Sequence, residues 1–227
     1  MEIDILSLFP DYFTSPLEQS ILKRALSRGL VSIRTHNIRD FCEDRHKMAD
    51  DKPFGGGPGM VMKPEPIARA IRSVKKKGSR VIYLSPQGTP LTAQQSHRLS
   101  ECDHLILLCG HYEGIDERIL EHFVDDEISI GDFVLTSGCP AALTLIDAVV
   151  RLIPGVVGDE ESIKQDSFEK GIFDHPHYTQ PREFEGHAVP QVLLEGHHGK
   201  ITAWRKAKAL EKTKKMRPDL VFPLETN

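Results

Sequence analysis

The sequence predicts an α/β fold: a largely parallel sheet with covering helices, followed by a small, mainly helical C-terminal domain. Three observations predict it. Short apolar or alternating runs recur between helix-like segments through the first two-thirds of the chain. One of them, within SECDHLILLCG, is an apolar run that reads as a buried strand. Over GVVGDEESIKQDSFEK, residues 155–170, apolar periodicity fades and charge rises, and little core-forming sequence follows.

In chain order, EIDILSLF alternates and then turns apolar before Pro10, as a strand does. Residues 16–28 predict a helix ended by Gly29. VSIRTHNI alternates again and predicts a second strand. DDKPFGGGPGM, residues 50–60, has four glycines and two prolines and is not expected to hold regular structure. PEPIARAIRSVKKKG predicts a helix opened by Pro64 and Pro66 and closed by Gly78. RVIYLS is a strand that stops at Pro86, and SECDHLILLCG contains another. IDERILEHF predicts a helix, and EISIGDFVL a strand running into a loop. PAALTLIDAVVRLI predicts a buried helix ending at Pro154, and residues 200–216 a final basic helix carrying Trp204. The expected division is a domain over 1–157, a linker over 158–165 and a small helical domain over 166–227.

Composition narrows the function classes. With 39% hydrophobic and 27% charged residues, the 227-residue chain is ordinary globular material. No run approaches the roughly 18 apolar residues of a membrane helix. The start, MEIDILSLFPDYF, lacks the basic region of a signal peptide. Cys42, Cys102, Cys109 and Cys139 show no CxxC spacing, which argues for a reducing, cytoplasmic setting and against disulfides or a zinc site. The formal net charge of −4 does not announce a nucleic-acid partner, but eight Lys or Arg against one acid lie between Lys200 and Arg217. That cluster is either a solvated face or a phosphate-contacting surface, and charge alone does not decide between them.

Parallel sheets collect ligands at the carboxyl ends of their strands. Three predicted strands end in loops rich in chemistry: YLSPQGTPL, LLCGHYEG and IGDFVLTSG. There is no GxGxxG after the first strand and no GxxxxGK[ST], which disfavours a dinucleotide site and a P-loop. DDKPFGGGPGM is a surface loop or a backbone surface for a flat or anionic ligand. Asp147 and Arg151, at i and i+4, read as an ion pair, although an arginine on so apolar a helix needs a partner or a task. QDSF, residues 165–168, reads locally as an N-cap signal. His175 and His177 invite a metal reading, but with no HExxH and no acid at matching spacing none is assigned.

Taken together, DRHKMADDKPFGGGPGMVM, VIYLSPQG, LLCGHYEGIDERI, SIGDFVL, TLIDAVVRLIPGVVG, DSF, HPHYTQP and VPQVLLEGHHGKITAWR resemble the bacterial tRNA (guanine-N1)-methyltransferase family, nearly end to end. The resemblance implies a SPOUT-type α/β domain with a deep trefoil knot, a homodimer with active sites at the subunit interface, and S-adenosylmethionine as methyl donor. It implies methylation of guanine at position 37 of tRNA, beside the anticodon. Leu84, Ser85, Pro86 and Gln87, Gly110 and Tyr112, and Ile130, Gly131, Asp132, Phe133, Val134 and Leu135 would wall the cofactor site, with Gly138 and Pro140 in the adjoining loop. Gly57, Pro58 and Gly59 would help enclose the target guanine, and Glu113 would lie where base and cofactor meet. Asp166 would be the general base and Arg151 the cation facing O6. Lys212, Lys214 and Lys215 are the candidates for tRNA backbone contacts. Magnesium is implied without residues to hold it. One departure stands out: where the family usually continues SGGELPA, residues 136–142 read TSGCPAA, with Ser137 for a glycine and Cys139 for the glutamate. A non-catalytic RNA-binding protein of the same fold, and a ribose methyltransferase, are the rival readings.

Overall fold

The structure, a computed structural model, describes residues 1–222. It divides into two compact units, Met1–Gly158 and the segment from Asp159 onward. The strands of the first unit are β1 (Glu2–Ser7), β2 (Ser32–Asn37), β3 (Asp50–Asp51), β4 (Val61–Met62), β5 (Arg80–Pro90), β6 (His104–Cys109) and β7 (Asp126–Ser129). Its helices are α1 (Thr14–Leu17), α2 (Ser20–Ser27), α3 (Pro64–Val74), α4 (Ala93–Ser100), α5 (Glu117–Phe123) and α6 (Cys139–Val150).

Five strands form one sheet in the order β2-β1-β6-β5-β7, and every pairing in it is parallel. Strand periodicity sorts their side chains onto two faces. Ile3, Ile5, Ile82, Leu84, Leu105 and Leu107 meet α2, α4 and α6 on one side. Leu6, Val81, Tyr83, Ile106 and Leu108 meet α3 and α5 on the other. Hence β6 is buried at all six positions, the physical reason its sequence carries no polar alternation. Helix α6 buries Leu145, Ile146, Val149 and Val150 completely, each burial contributing about 2 kcal/mol.

At the opposite end of the sheet from the loops described below, Asp4 is fully buried in β1. It accepts hydrogen bonds from Arg34 (2.9 Å), His36 (2.7 Å) and His104 (2.8 Å). Burial alone would raise its pKa, but these donors outweigh it and hold the carboxyl well below the usual range. Ser79 Oγ lies 2.7 Å from His104 Nδ1, so both ring nitrogens of this buried histidine have partners.

Several element expectations need correction. The helix expected over 16–28 is split, because Gln19 is extended and Ser20 has φ +47°. Helix α3 ends at Val74 rather than near Gly78, since Lys75 leaves with ψ 127° and Gly78 turns beyond it. Residues 50–60 are not wholly irregular: Asp50 and Asp51 pair antiparallel with Met62 and Val61, and the glycines fill the loop between. Strand β5 does not stop at Pro86. Its register against β7 jumps from Leu84↔Ile128 to Thr89↔Ile128, so Ser85–Gly88 bulge out of the ladder and Pro86 has no ladder bond to lose. The buried helix starts at Cys139, one residue before Pro140.

In the second unit, α7 (Glu160–Gln165) forms within the stretch expected as linker. A hairpin of β8 (Glu183–Phe184) and β9 (His187–Ala188) follows, then α8 (His198–Met216). Ala209 and Thr213 are the buried residues of α8. Thr213 Oγ1 donates to Ala209 O (2.7 Å) and accepts from Phe173 N–H (2.9 Å), which ties the helix to the preceding chain.

Candidate functional site

The bulge within β5 and the loops after β6 and β7 converge on one cavity of about 350 Å³ in the first unit. Leu84–Gln87, Gly110–Ile115 and Ile130–Gly138, without Asp132, line it. Of the residues expected at a cofactor site, Asp132 and Pro140 lie outside this lining; Asp132 is exposed and Pro140 is in the first turn of α6. Glu113 is inside it.

Glycines set the shape because side chains would collide. A Cβ on Gly110 would come within 2.7 Å of Tyr83 Oη. This glycine therefore admits the Tyr83 ring beneath the loop, whatever else approaches its backbone. The Tyr83 hydroxyl is hydrogen-bonded to the backbone of Ile115, and burial pushes its pKa up to about 12. Gly131 has φ +149° and carries the Phe133 ring over its open side. Gly138 N–H donates to Gly110 O at 2.8 Å, and a Cβ there would meet Cys109 Cα at 3.0 Å. Tyr112 has φ +59°, a conformation costing about 1 kcal/mol for a non-glycine residue.

The cavity combines apolar surface with polar groups that the protein itself leaves unanswered. Phe133, Val134 and Leu135 expose large apolar side chains on its wall. Among the described residues, buried His111 Nδ1 and Glu127 Oε1 have no hydrogen-bond partner, and both residues line the cavity. Such groups next to an apolar hollow are what a ligand site needs for orientation. His111, Tyr83 and Glu127 were missed in the sequence. For His111 and Tyr83 the signal was present, since both stand at ends of strands already singled out; Glu127 carried none.

The glycine-rich loop is laced to this site. Glu113 N–H donates to Met60 O (3.0 Å), Met62 N–H to Gly114 O (3.0 Å) and Asp116 N–H to Met62 O (3.1 Å). Gly59 abuts Glu113, while Gly55, Gly56 and Gly57 stand in open space with positive φ. Pro58 lies between Gly57 and Gly59, and none of these three lines the cavity.

Arg151 follows α6 as its half-buried cap. Asp166 caps α7 in the second unit, half-buried, its N–H donating to Ile163 O. Lys212, Lys214 and Lys215 are exposed on α8. The acid near His175 and His177 that spacing rules overlooked is their neighbour Asp174. It accepts from His177 Nε2 at 2.7 Å, and the three offer ligand atoms within 4.8 Å of one another. This is the one such group among the described residues. Two nitrogens and one carboxylate do not suit magnesium, which wants oxygen and water ligands.

The family model described as "tRNA (Guanine-1)-methyltransferase TrmD" matches residues 1–222. Three similar proteins are each named tRNA (guanine-N(1)-)-methyltransferase. The one from Chlamydia trachomatis serovar D is 58% identical over 220 residues, covering 97% of this chain and 62% of its own. The one from Protochlamydia amoebophila is 56% identical over 221 residues, 97% of this chain and 100% of that one. The one from Thermosynechococcus vestitus is 54% identical over 222 residues, 97% and 94%. The chain thus spans 62% of the length of the Chlamydia trachomatis relative. With a match that covers all but its last few residues, the chain belongs to the tRNA (Guanine-1)-methyltransferase TrmD family.

Proposed function

We propose that this protein methylates N1 of the guanine at position 37 of tRNA, using S-adenosylmethionine. The observation that carries the reading is the cavity shared by the β5 bulge and the loops after β6 and β7 in a chain of this family. S-adenosylmethionine supplies an activated methyl group on a sulfonium. The apolar wall of Ile130, Phe133, Val134 and Leu135 suits the faces of its adenine, and the backbone of Leu84–Gln87 and Gly138 its edge. The loops at Ser85–Gln87, Gly110–Tyr112 and Ile130–Gly138 are those the family's trefoil knot would comprise.

The protein's task is the nucleophile, because guanine N1 carries a proton at neutral pH. Asp166 takes that proton as general base. Negative charge then grows on O6, where Arg151 stabilises it more in the transition state than in the ground state. Glu113 and Tyr112 hold the base against the reacting methyl, and Gly57, Pro58 and Gly59 enclose it from the other side. Arg151 and Asp166 meet at one site when two copies of the chain combine, Asp166 coming from the partner subunit. Lys212, Lys214 and Lys215 contact tRNA phosphates, and recognition rests on RNA shape and one splayed base. A tRNA substrate makes the protein cytoplasmic. No step is assigned to magnesium.

Nucleoside mass spectrometry of the reacted tRNA tests the reading. It predicts 1-methylguanosine, and a ribose-methylated product would refute it.

A further inference from the structure

Cys109 and Cys139 are brought together by the loops that form the cavity. His111 and Ser137 make an antiparallel bridge, and Gly138 N–H donates to Gly110 O at 2.8 Å. The chain on either side of the bridge therefore carries Cys109, two residues before His111, and Cys139, two residues after Ser137, toward the same place. Both thiols are buried in the same core cluster, and a Cβ on Gly138, the residue before Cys139, would lie 3.0 Å from Cys109 Cα.

The surroundings make one of the pair a nucleophile. Cys139 is the first residue of the 12-residue helix α6, where the helix dipole favours a thiolate. Ser7 Oγ lies 3.2 Å from its sulfur. The neighbouring Cys109 thiol, then the Ser7 and Ser137 hydroxyls, draw its pKa down to about 6 against the opposing effect of burial. The adjacent Cys139 thiol, with burial behind it, pushes Cys109 up. The other cysteines, Cys42 and Cys102, are half-buried, and burial raises both.

We propose that Cys109 and Cys139 are an oxidative modification site, a dithiol that peroxide converts to a disulfide at the wall of the methyl-donor cavity. The Cys139 thiolate attacks one oxygen of hydrogen peroxide; an S–O bond forms, the O–O bond breaks and hydroxide leaves. Cys109 sulfur then attacks the Cys139 sulfenic acid; the S–S bond forms, the S–O bond breaks and water leaves with the Cys109 proton. The two cysteines lose two electrons, and one peroxide becomes two waters. Because Gly110 and Gly138 flank the pair and line the cavity, closing it pulls on two of the three walls. Peroxide reaches the buried sulfurs when these loops open, so a ligand that holds them shut slows the reaction. The effect on donor binding rests on the proposed function; the disulfide itself does not.

The full-length protein is treated with hydrogen peroxide and digested without reduction, with fragmentation that separates Cys102 from Cys109. Affinity for S-adenosylhomocysteine is measured before and after. The expected result is a Cys109–Cys139 linkage with loss of two hydrogens, slowed by S-adenosylhomocysteine. Affinity should fall about tenfold and return with dithiothreitol. Cys139→Ser should show neither the linkage nor the peroxide-induced fall. Cys109 and Cys139 remaining thiols while Cys42 and Cys102 are oxidised would overturn the site. A linkage with unchanged affinity would overturn its control of the cavity. If the reduced protein forms the linkage but never binds S-adenosylhomocysteine, the modification site stands and the methyl-donor reading fails.

Discussion

Glu113 occupies the space that a side chain on Gly59 would need. A Cβ at Gly59 would lie 2.6 Å from Glu113 Cγ and 2.8 Å from its Cδ, and Gly59 has φ +77°. The contact joins the glycine-rich loop to the loop after β6, so the two move as one piece. Gly59→Ala should displace Glu113 and misalign the base. A loss of about 10- to 100-fold in kcat/KM is expected, with S-adenosylhomocysteine affinity nearly unchanged. Steady-state kinetics and calorimetry on the variant check the split; equal losses in both would assign Gly59 to folding of the cavity.

Gly110→Ala would drive a methyl group into the buried Tyr83 ring. Overpacking of this kind costs about 1–3 kcal/mol, read as a lower denaturant midpoint. The loop must also lift from the cavity, so S-adenosylhomocysteine affinity should fall by about tenfold or more. Wild-type affinity in the variant would mean that Tyr83 yields without moving the loop.

Asp4 should dominate the acid side of the first unit's stability. Its folded pKa is depressed, so its contribution is fully present above the unfolded value of about 3.9 and is lost as pH falls through that value and below. Asp4→Ala leaves buried His104 without its acceptor and should cost about 3 kcal/mol at neutral pH. Urea titrations at pH 7 and pH 3 check the sign: the gap between wild type and variant should narrow at the lower pH.

Replacing Lys212, Lys214 and Lys215 by glutamine should weaken tRNA binding across sequences. The slope of log K against log salt should flatten by up to about 2. Filter binding at several salt concentrations measures it. An unchanged slope would mean that α8 presents a solvated face.

The sheet was legible because its strands are either continuous apolar runs, as in β6, or alternating ones, as in β1 and β2. Both follow from which faces are covered. The loops after β6 and β7 were legible for the same reason, since a parallel sheet sends such loops to one end. What the local sequence hid was longer-range. Pro86 signals a stop, yet β5 resumes at Thr89 because the bulge takes proline out of the ladder. The pairing of Asp50–Asp51 with Val61–Met62 depends on chain on the far side of a glycine loop. Asp174 was overlooked because it adjoins His175, and a fixed-spacing rule does not look there. Cys109 and Cys139 are separated by 30 positions, and only the fold, through the bridge at His111 and Ser137, brings them into one buried cluster.

The most direct test is methyl transfer from labelled S-adenosylmethionine to two tRNA transcripts, one with guanine at position 37 and one with adenine. Wild type runs beside Asp166→Ala. Label on the guanine transcript alone, reduced about 100-fold or more by Asp166→Ala, is the predicted result. Equal labelling of both transcripts, or full activity in the variant, would contradict it.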